Sequence, residues 1–244
     1  MSLVEQIGIQ LWSVKDVLEK DFAGTLEKLA QMGYTGVEFA GYYGLSAQEM
    51  KDILSKNRLK SIGSHIGIDR LTGSLDEEIA YHKALGTEYL ICPYYDIKTG
   101  DDALALAKIL QPVIEKITGA GFKFAYHNHA HEFGLSGGEY FLDILFQNLP
   151  PGACMELDVF WTAYAGIDHF AFMKKHEGRL KLLHIKQIDK EKHCVDVEKG
   201  ILDFKEIIPK ARGFGVEQFI VEQEEFTVSS VASAKNNVDF LKKL

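Results

Sequence analysis

The strongest constraint in this chain is a repeated alternation. Eight short apolar runs, starting near residues 7, 36, 60, 89, 123, 153, 180 and 218, take turns with segments of helical pattern. Successive starts lie from 24 (36 to 60) to 38 (180 to 218) residues apart, room for one strand, one helix and two short loops. Gly33, Asn57, Gly86, Gly121 and Gly178 stand just ahead of the next run, where a helix must stop. In 21–32 the apolar residues Phe22, Leu26, Leu29 and Ala30 recur at helical spacing. Ser46 is the expected N-cap of a helix through 56, and Asp101 or Asp102 of a long one to 120 that Pro112 should kink or restart. Segments 136–149 and 169–176 read as helices, 189–200 as a polar loop over a mouth, and a last helix opens at Ser229 or Ser230. The expected fold is α/β, a (β/α)8 TIM barrel, with 1–244 as a single domain. A doubly wound open sheet is the rival. It would usually carry a glycine-rich phosphate loop after an early strand, and the sequence has neither a G-x-G-x-x-G nor a Walker-type run.

Composition narrows the partners. With 244 residues, 46% of them apolar and 25% charged, the chain can bury a substantial core. A formal net charge of −8 argues against a nucleic-acid backbone as partner, which calls for a basic stripe. Cys92, Cys154 and Cys194 are widely spaced with no CxxC pair, and the first two sit in strand-like runs as small core residues of a reduced protein. No apolar run reaches the roughly 18 residues of a membrane span. The first residues lack the basic and apolar regions of a secretory signal. A cytoplasmic location is the expectation, a signal trimmed from upstream of Met1 being compatible with it.

In such a barrel the chemistry sits at the C-terminal ends of the strands. Those ends supply Trp12, Glu38, His65, Tyr94, His127 with His129, Asp158, His184 with Lys186, and Glu222 with Glu224. His127/His129, Glu156/Asp158, His184/Lys186 and Glu222/Glu224 are i,i+2 pairs, so each pair faces one side of its strand. Charged groups turned into a barrel are costly unless they are paired or hold a metal. A mixed imidazole and carboxylate set suits one divalent ion, Mn²⁺, Zn²⁺, Co²⁺ or Mg²⁺. Asp158, His184 and Glu222 are the expected ligands, with His127 as the fourth or Glu132 in its place. Lys186 either faces a developing oxyanion or pairs with Glu222. Glu224 reads as a rim charge, and His82, His131, His169, His176 and His193 as packing or surface residues. Trp12 and Trp161 are candidates for stacking against a sugar ring.

The runs Gly-Ile-Gln-Leu-Trp12-Ser, Tyr-Thr-Gly-Val-Glu38, Tyr-His127-Asn-His129, Glu156-Leu-Asp158-Val-Phe-Trp161, Leu-His184-Ile-Lys186 and Ile-Val-Glu222-Gln resemble the strand-end signatures of the xylose isomerase-like barrel superfamily, in its sugar phosphate isomerase/epimerase group. The likeness spans essentially the whole chain. It implies one divalent metal held by a carboxylate after strand five, an aspartate after six, a histidine after seven and a glutamate after eight. Asp158, His184 and Glu222 match the last three. The first departs: where many relatives have Glu-Asn-His, this chain has His127-Asn128-His129. Symmetric proton shuttling between two glutamates, which the resemblance implies for epimerases, is thereby put in doubt.

The reading that results is a metal-dependent isomerase or epimerase acting on a sugar or keto-sugar through an enediolate. Catalysis falls to Glu222, His127 and Lys186, and substrate binding to Trp12, Glu38, His65, His129 and Trp161. A lyase or dehydratase acting on a keto-sugar or keto-cyclitol is the alternative, and a non-catalytic sugar-binding barrel the second. A metal-dependent phosphodiesterase on damaged DNA shares the superfamily fold but calls for more ligands and a basic groove. The expected partner is a small sugar, with neither nucleic acid nor membrane; assembly into a homo-oligomer is left open.

Overall fold

The computed structural model describes residues 6–244; the reading of residues 1–5 as free of a signal's features lies outside the described residues. Eight parallel strands close a barrel in sequence order: β1 (Gly8–Gln10), β2 (Gly36–Phe39), β3 (Lys60–His65), β4 (Tyr89–Cys92), β5 (Lys123–His127), β6 (Cys154–Asp158), β7 (Leu180–Ile185) and β8 (Gln218–Val221). The ring closes where Gly8 and Ile9 of β1 pair with Ile220 and Val221 of β8.

Strand period two sorts the side chains. Outward residues such as Phe124, Tyr126, Leu157, Leu183, Phe219 and Val221 join the large core between the strands and the surrounding helices. Inward residues form a separate apolar floor of Ile62, Tyr89, Ile91, Ala125, Cys154, Leu182 and Ile220. Two residues further along the same strands, the inward positions become His127, Glu156, His184 and Glu222. The barrel is therefore greasy below and ionisable above. Glycines leave room for this stacking: a Cβ on Gly8 or Gly36 would come within 2.5 or 2.7 Å of Ile62, and one on Gly63 within 3.2 Å of Glu38 Oε2.

Most helix signals act as expected. Ser46 closes a capping box with Glu49 at the start of Ala47–Asn57. The long helix Gly100–Gly119 is capped by Thr99, and Asp102 serves as the reciprocal carboxylate rather than as the cap. Pro112 sits inside that helix without ending it. The expected helix from 136 begins later, at Phe141–Asn148. Ahead of it Leu135–Ser136 and Glu139–Tyr140 pair as a hairpin, because Gly137 and Gly138 both adopt the positive φ that a two-residue hairpin turn needs. The loop after β7 carries a second small hairpin, Gln187–Ile188 against Cys194–Val195. All three cysteines are buried and free. Among the described residues no helix is long and apolar enough to cross a membrane.

Candidate metal and substrate site

Two tiers of polar side chains stand on the apolar floor. The lower tier joins Gln10, Glu38, His65, Glu156 and one edge of His184. Register makes it: Gln10 lies beside Glu38 across β1 and β2, and His127 beside Glu156 across β5 and β6. Gln10 Nε2 donates to Glu38 Oε1 at 2.7 Å. His65 Nε2 lies 3.0 Å from Glu38 and 2.8 Å from Glu156, and His184 Nε2 lies 2.9 Å from Glu38 and 3.4 Å from Glu156. The His65 and His184 rings stack with centroids 5.6 Å apart.

The upper tier is the set expected from the strand ends. One donor atom from each of His127, Asp158, His184 and Glu222 falls within 4.8 Å of all the others, and all four residues are buried. The other edge of His184 belongs here, with Nδ1 3.0 Å from Glu222 Oε2. Asp158 divides its carboxylate. Oδ1 accepts from the backbone N–H of Phe160 and of Trp161, capping the helix Val159–Tyr164, while Oδ2 is buried with no hydrogen-bond partner among the described residues. Asn128 Oδ1 accepts from the backbone N–H of Asp158 and fixes the strand end. Lys186 Nζ reaches Glu224 at 3.1 Å, Glu222 at 3.4 Å and Asp158 at 3.8 Å. Of the two sequence-based options for Lys186, the pairing with Glu222 is present.

The electrostatics follow from burial. Burial alone raises a carboxyl and lowers an imidazole, and the neighbours then decide. Burial pushes Asp158 up to about 7 despite the opposing pull of Lys186. Glu156 is raised by burial and by Glu38. For Glu222 burial is outweighed by Lys186 and His184, which hold it low. His65 is driven down by burial and more strongly up by Glu38 and Glu156, reaching about 10. His184 is likewise raised, by Glu156 and Glu38 against burial. His127 is held neutral by burial and by the neighbouring His184 and His65. His129 falls to about 3 through burial and Lys186.

The chemistry of the donor set fits a divalent ion. A buried polar atom left without a hydrogen bond is costly, yet among the described residues Glu38 Oε2, Glu156 Oε1 and Asp158 Oδ2 are buried without hydrogen-bond partners, as is His127 Nδ1, which lies 3.2 Å from Glu156 Oε2. One cation between imidazole nitrogen and carboxylate oxygen offsets that charge compactly. The site can chelate a single divalent ion. A second grouping, His65, His127, Glu156 and His184, meets the same spacing one tier lower and shares two of its members.

The remaining sequence candidates separate. Glu132 is fully buried but turned away: it accepts from Tyr126 Oη at 3.0 Å and from the backbone N–H of His129 at 2.8 Å, so it shapes the loop and lies outside the four-atom cluster. His65, His127, His129, Trp12, Tyr94, Glu222 and Glu224 border a cavity of about 450 Å³, within the range of small-ligand pockets. Glu38 sits beneath that cavity, fully buried against Gln10 and His184. Trp161 packs beside His129 and under the Lys186 ammonium, with its Nε1 buried and without a hydrogen-bond partner among the described residues. His131 Nε2 donates to the loop at Tyr95 O, and His82 is fully buried in an outer network. Glu156 and Gln10 were missed as site members; for Glu156 the i,i+2 relation to Asp158 was the available signal.

The family model for the xylose isomerase-like TIM barrel matches residues 26–244. Among solved structures, a sugar phosphate isomerase/epimerase from Parabacteroides distasonis is 27% identical over 99% of each chain, with a TM-score of 0.88. A second protein of that description from the same organism is 24% identical over 97% of this chain and 93% of its own, at 0.86. A 3-keto-D-glucoside 4-epimerase from E. coli shares the fold at 12% identity, covering 98% of this chain and 99% of its own, at 0.75. A search of the curated proteins finds no match. The chain belongs to the xylose isomerase-like TIM barrel family.

Proposed function

We propose that this protein is a metal-dependent isomerase or epimerase of a sugar or keto-sugar, working as one barrel domain over 1–244. The observation that carries the reading is the crowding of His127, Asp158, His184 and Glu222, from four different strand ends, around one point at the floor of an open cavity. The 27% identical sugar phosphate isomerase/epimerase, matched end to end, supports the same class.

His127, Asp158, His184 and Glu222 would hold the ion. When bound, a divalent cation supplies Lewis-acid polarisation, which makes a C–H next to a carbonyl acidic and offsets the charge of the enediolate. Proton transfer falls to the protein. Glu222, kept ionised by Lys186 and His184 against the effect of burial, is one acceptor at the cavity wall. His127, kept neutral, would be the acceptor from the β5 side only when its one free lone pair is not given to the ion. Neutral imidazole takes a proton readily. The Lys186 ammonium stands over Glu222 and Asp158, where it opposes negative charge that builds up during proton removal. His65 and His129 border the cavity as binding groups for hydroxyls, and Tyr94 and Trp12 close its rim. Glu38 acts from below, by orienting His65 and His184.

A lyase or dehydratase outcome is the second reading, and one feature favours it: facing Glu222 across the site is an imidazole rather than a second carboxylate. An asymmetric pair suits proton removal at one atom and proton delivery to a leaving oxygen. The partner is a small sugar, with no nucleic acid, and the acidic chain is expected in the cytoplasm. The test is a keto-sugar panel with Mn²⁺-, Zn²⁺-, Co²⁺- or Mg²⁺-loaded protein, followed by NMR in D₂O. Exchange of the proton beside the carbonyl, with an epimer or isomer as product, supports the reading. An unsaturated product moves it to the lyase; no exchange with any metal leaves a binding barrel.

A further inference from the structure

The mouth of the barrel is larger than one sugar ring needs. Trp12 is a wall shared by three adjoining spaces: the central cavity; one of about 500 Å³ reached past Glu224 and bordered by Ser13, Lys15, Asp16 and Phe226; and one of about 350 Å³ on the Tyr43 side. Its indole is 44% exposed, although its neighbours Leu11, Ser13 and Val14 are buried. It stands on a rigid turn. Trp12 N–H donates to Gln10 Oε1, and Ser13 Oγ accepts from the backbone N–H of Gln223 on the next strand end. A large aromatic side chain left in water on a fixed turn at a cavity mouth is the mark of a stacking platform. Phe226, 37% exposed, faces the same space.

The rim tells which chemistry fits. Two carboxylates, Asp16 and Glu224, stand with two ammoniums: Lys15, whose Nζ lies 3.4 Å from the Trp12 ring centroid, and Lys186, 3.1 Å from Glu224. That balance leaves no surplus of positive charge to hold a phosphate. It suits a neutral ring that stacks its C–H face on an indole and gives hydroxyls to carboxylates and a hydroxyl at the edge. Resting on the sugar-enzyme reading, we infer that the substrate is a glycoside: the reacting ring lies over His127, His129 and Glu222, and a second sugar ring lies between Trp12 and Phe226.

The test compares three forms of one keto-hexose with Mn²⁺-loaded protein: the free sugar, its methyl glycoside and a disaccharide carrying it. The readout is kcat/KM for deuterium uptake beside the carbonyl. The disaccharide is expected to be preferred over the methyl glycoside by about tenfold or more, a difference of about 1.4 kcal/mol. Trp12→Ala and Phe226→Ala should each remove most of that preference, Trp12→Phe should restore most of it, and Tyr43→Ala should leave it in place. Phe226→Ala keeps the test decisive if Trp12→Ala folds poorly. Equal use of methyl glycoside and disaccharide, or variants that lower both by the same factor, would overturn the inference while the sugar-enzyme reading stands. Exchange with none of the three forms would remove both.

Discussion

Two buried polar groups of this molecule look alike in composition and differ in one respect. The first surrounds Asp196, which ties the loop after β7 to the last helix, Ser230–Leu241. Asp196 accepts from Gln223, Ser233, Asn236 and Lys199, Gln223 accepts from Asn237, and Asn237 accepts from the backbone N–H of Val197. Each oxygen is used. The second is the barrel mouth, where three carboxylate oxygens, two histidine nitrogens and the Trp161 indole nitrogen are buried with no hydrogen-bond partner among the described residues. Proteins seldom leave such atoms orphaned, because each costs about 1–3 kcal/mol, more when charged. A satisfied network is a structural clamp. An unsatisfied one, placed at the floor of a cavity, is set for something that arrives from outside.

The largest expected effect is at the mouth. Asp158→Asn keeps an oxygen to cap Phe160 and Trp161 but removes the charge facing Lys186. Metal retention should be lost and turnover should drop at least about a thousandfold, with the circular dichroism spectrum unchanged. Elemental analysis and the deuterium assay check both. Full turnover in a metal-free variant would erase the distinction between the two regions.

At the clamp the balance reverses. Asp196→Ala removes an acceptor from Gln223, Ser233 and Asn236, of which Gln223 keeps Glu225 O and Asn236 reaches water, and should lower the unfolding free energy by about 1–3 kcal/mol, while folded protein keeps its metal. Urea denaturation measures the first and elemental analysis the second.

Ligand linkage sharpens the contrast. Metal at about a hundred times its Kd should stabilise the wild type by about 2.7 kcal/mol. Asp196→Ala should show the same increment on a lower baseline, and Asp158→Asn none. Equal increments in both variants would place the ion elsewhere.

A smaller effect is expected from acid. His82 is fully buried between Tyr42 Oη and Thr87 Oγ1, and burial lowers it to about 3. Its folded value lies below the unfolded value of about 6.5, so the neutral form is the one the fold holds. That stability is complete above pH 6.5 and is lost as pH falls towards 3. Between pH 6.5 and 5 the loss should come to about 1.6 kcal/mol. His82→Gln should flatten the profile in that window by equilibrium denaturation; an unchanged slope would assign the acid sensitivity to other groups.

Much of this was legible in the chain because the barrel repeats one rule eight times. The change from Leu182 to His184 to Lys186, or from Ile220 to Glu222, marks where a strand leaves the apolar floor, and it can be seen without coordinates. Asp158, His184 and Glu222 stood out on that ground. Glu156 did not, because its place depends on register: only the pairing of β6 with β5 sets it beside His127, from where its Oε2 reaches His65 and His184. Its strand-end position makes Glu38 a candidate for touching substrate, whereas the missing Cβ of Gly63 lets its carboxylate pack fully buried beneath the cavity. The Gly137–Gly138 hairpin was hidden by the helical spacing that follows it. Pro112 shows the limit of a local rule: a long helix packed along its buried face tolerates the lost donor.

The most direct test is anomalous diffraction from crystals grown with Mn²⁺. The account expects one peak per chain, within bonding distance of His127, Asp158, His184 and Glu222 together. A peak in the lower tier between His65 and Glu156, or none at the barrel mouth, would contradict it.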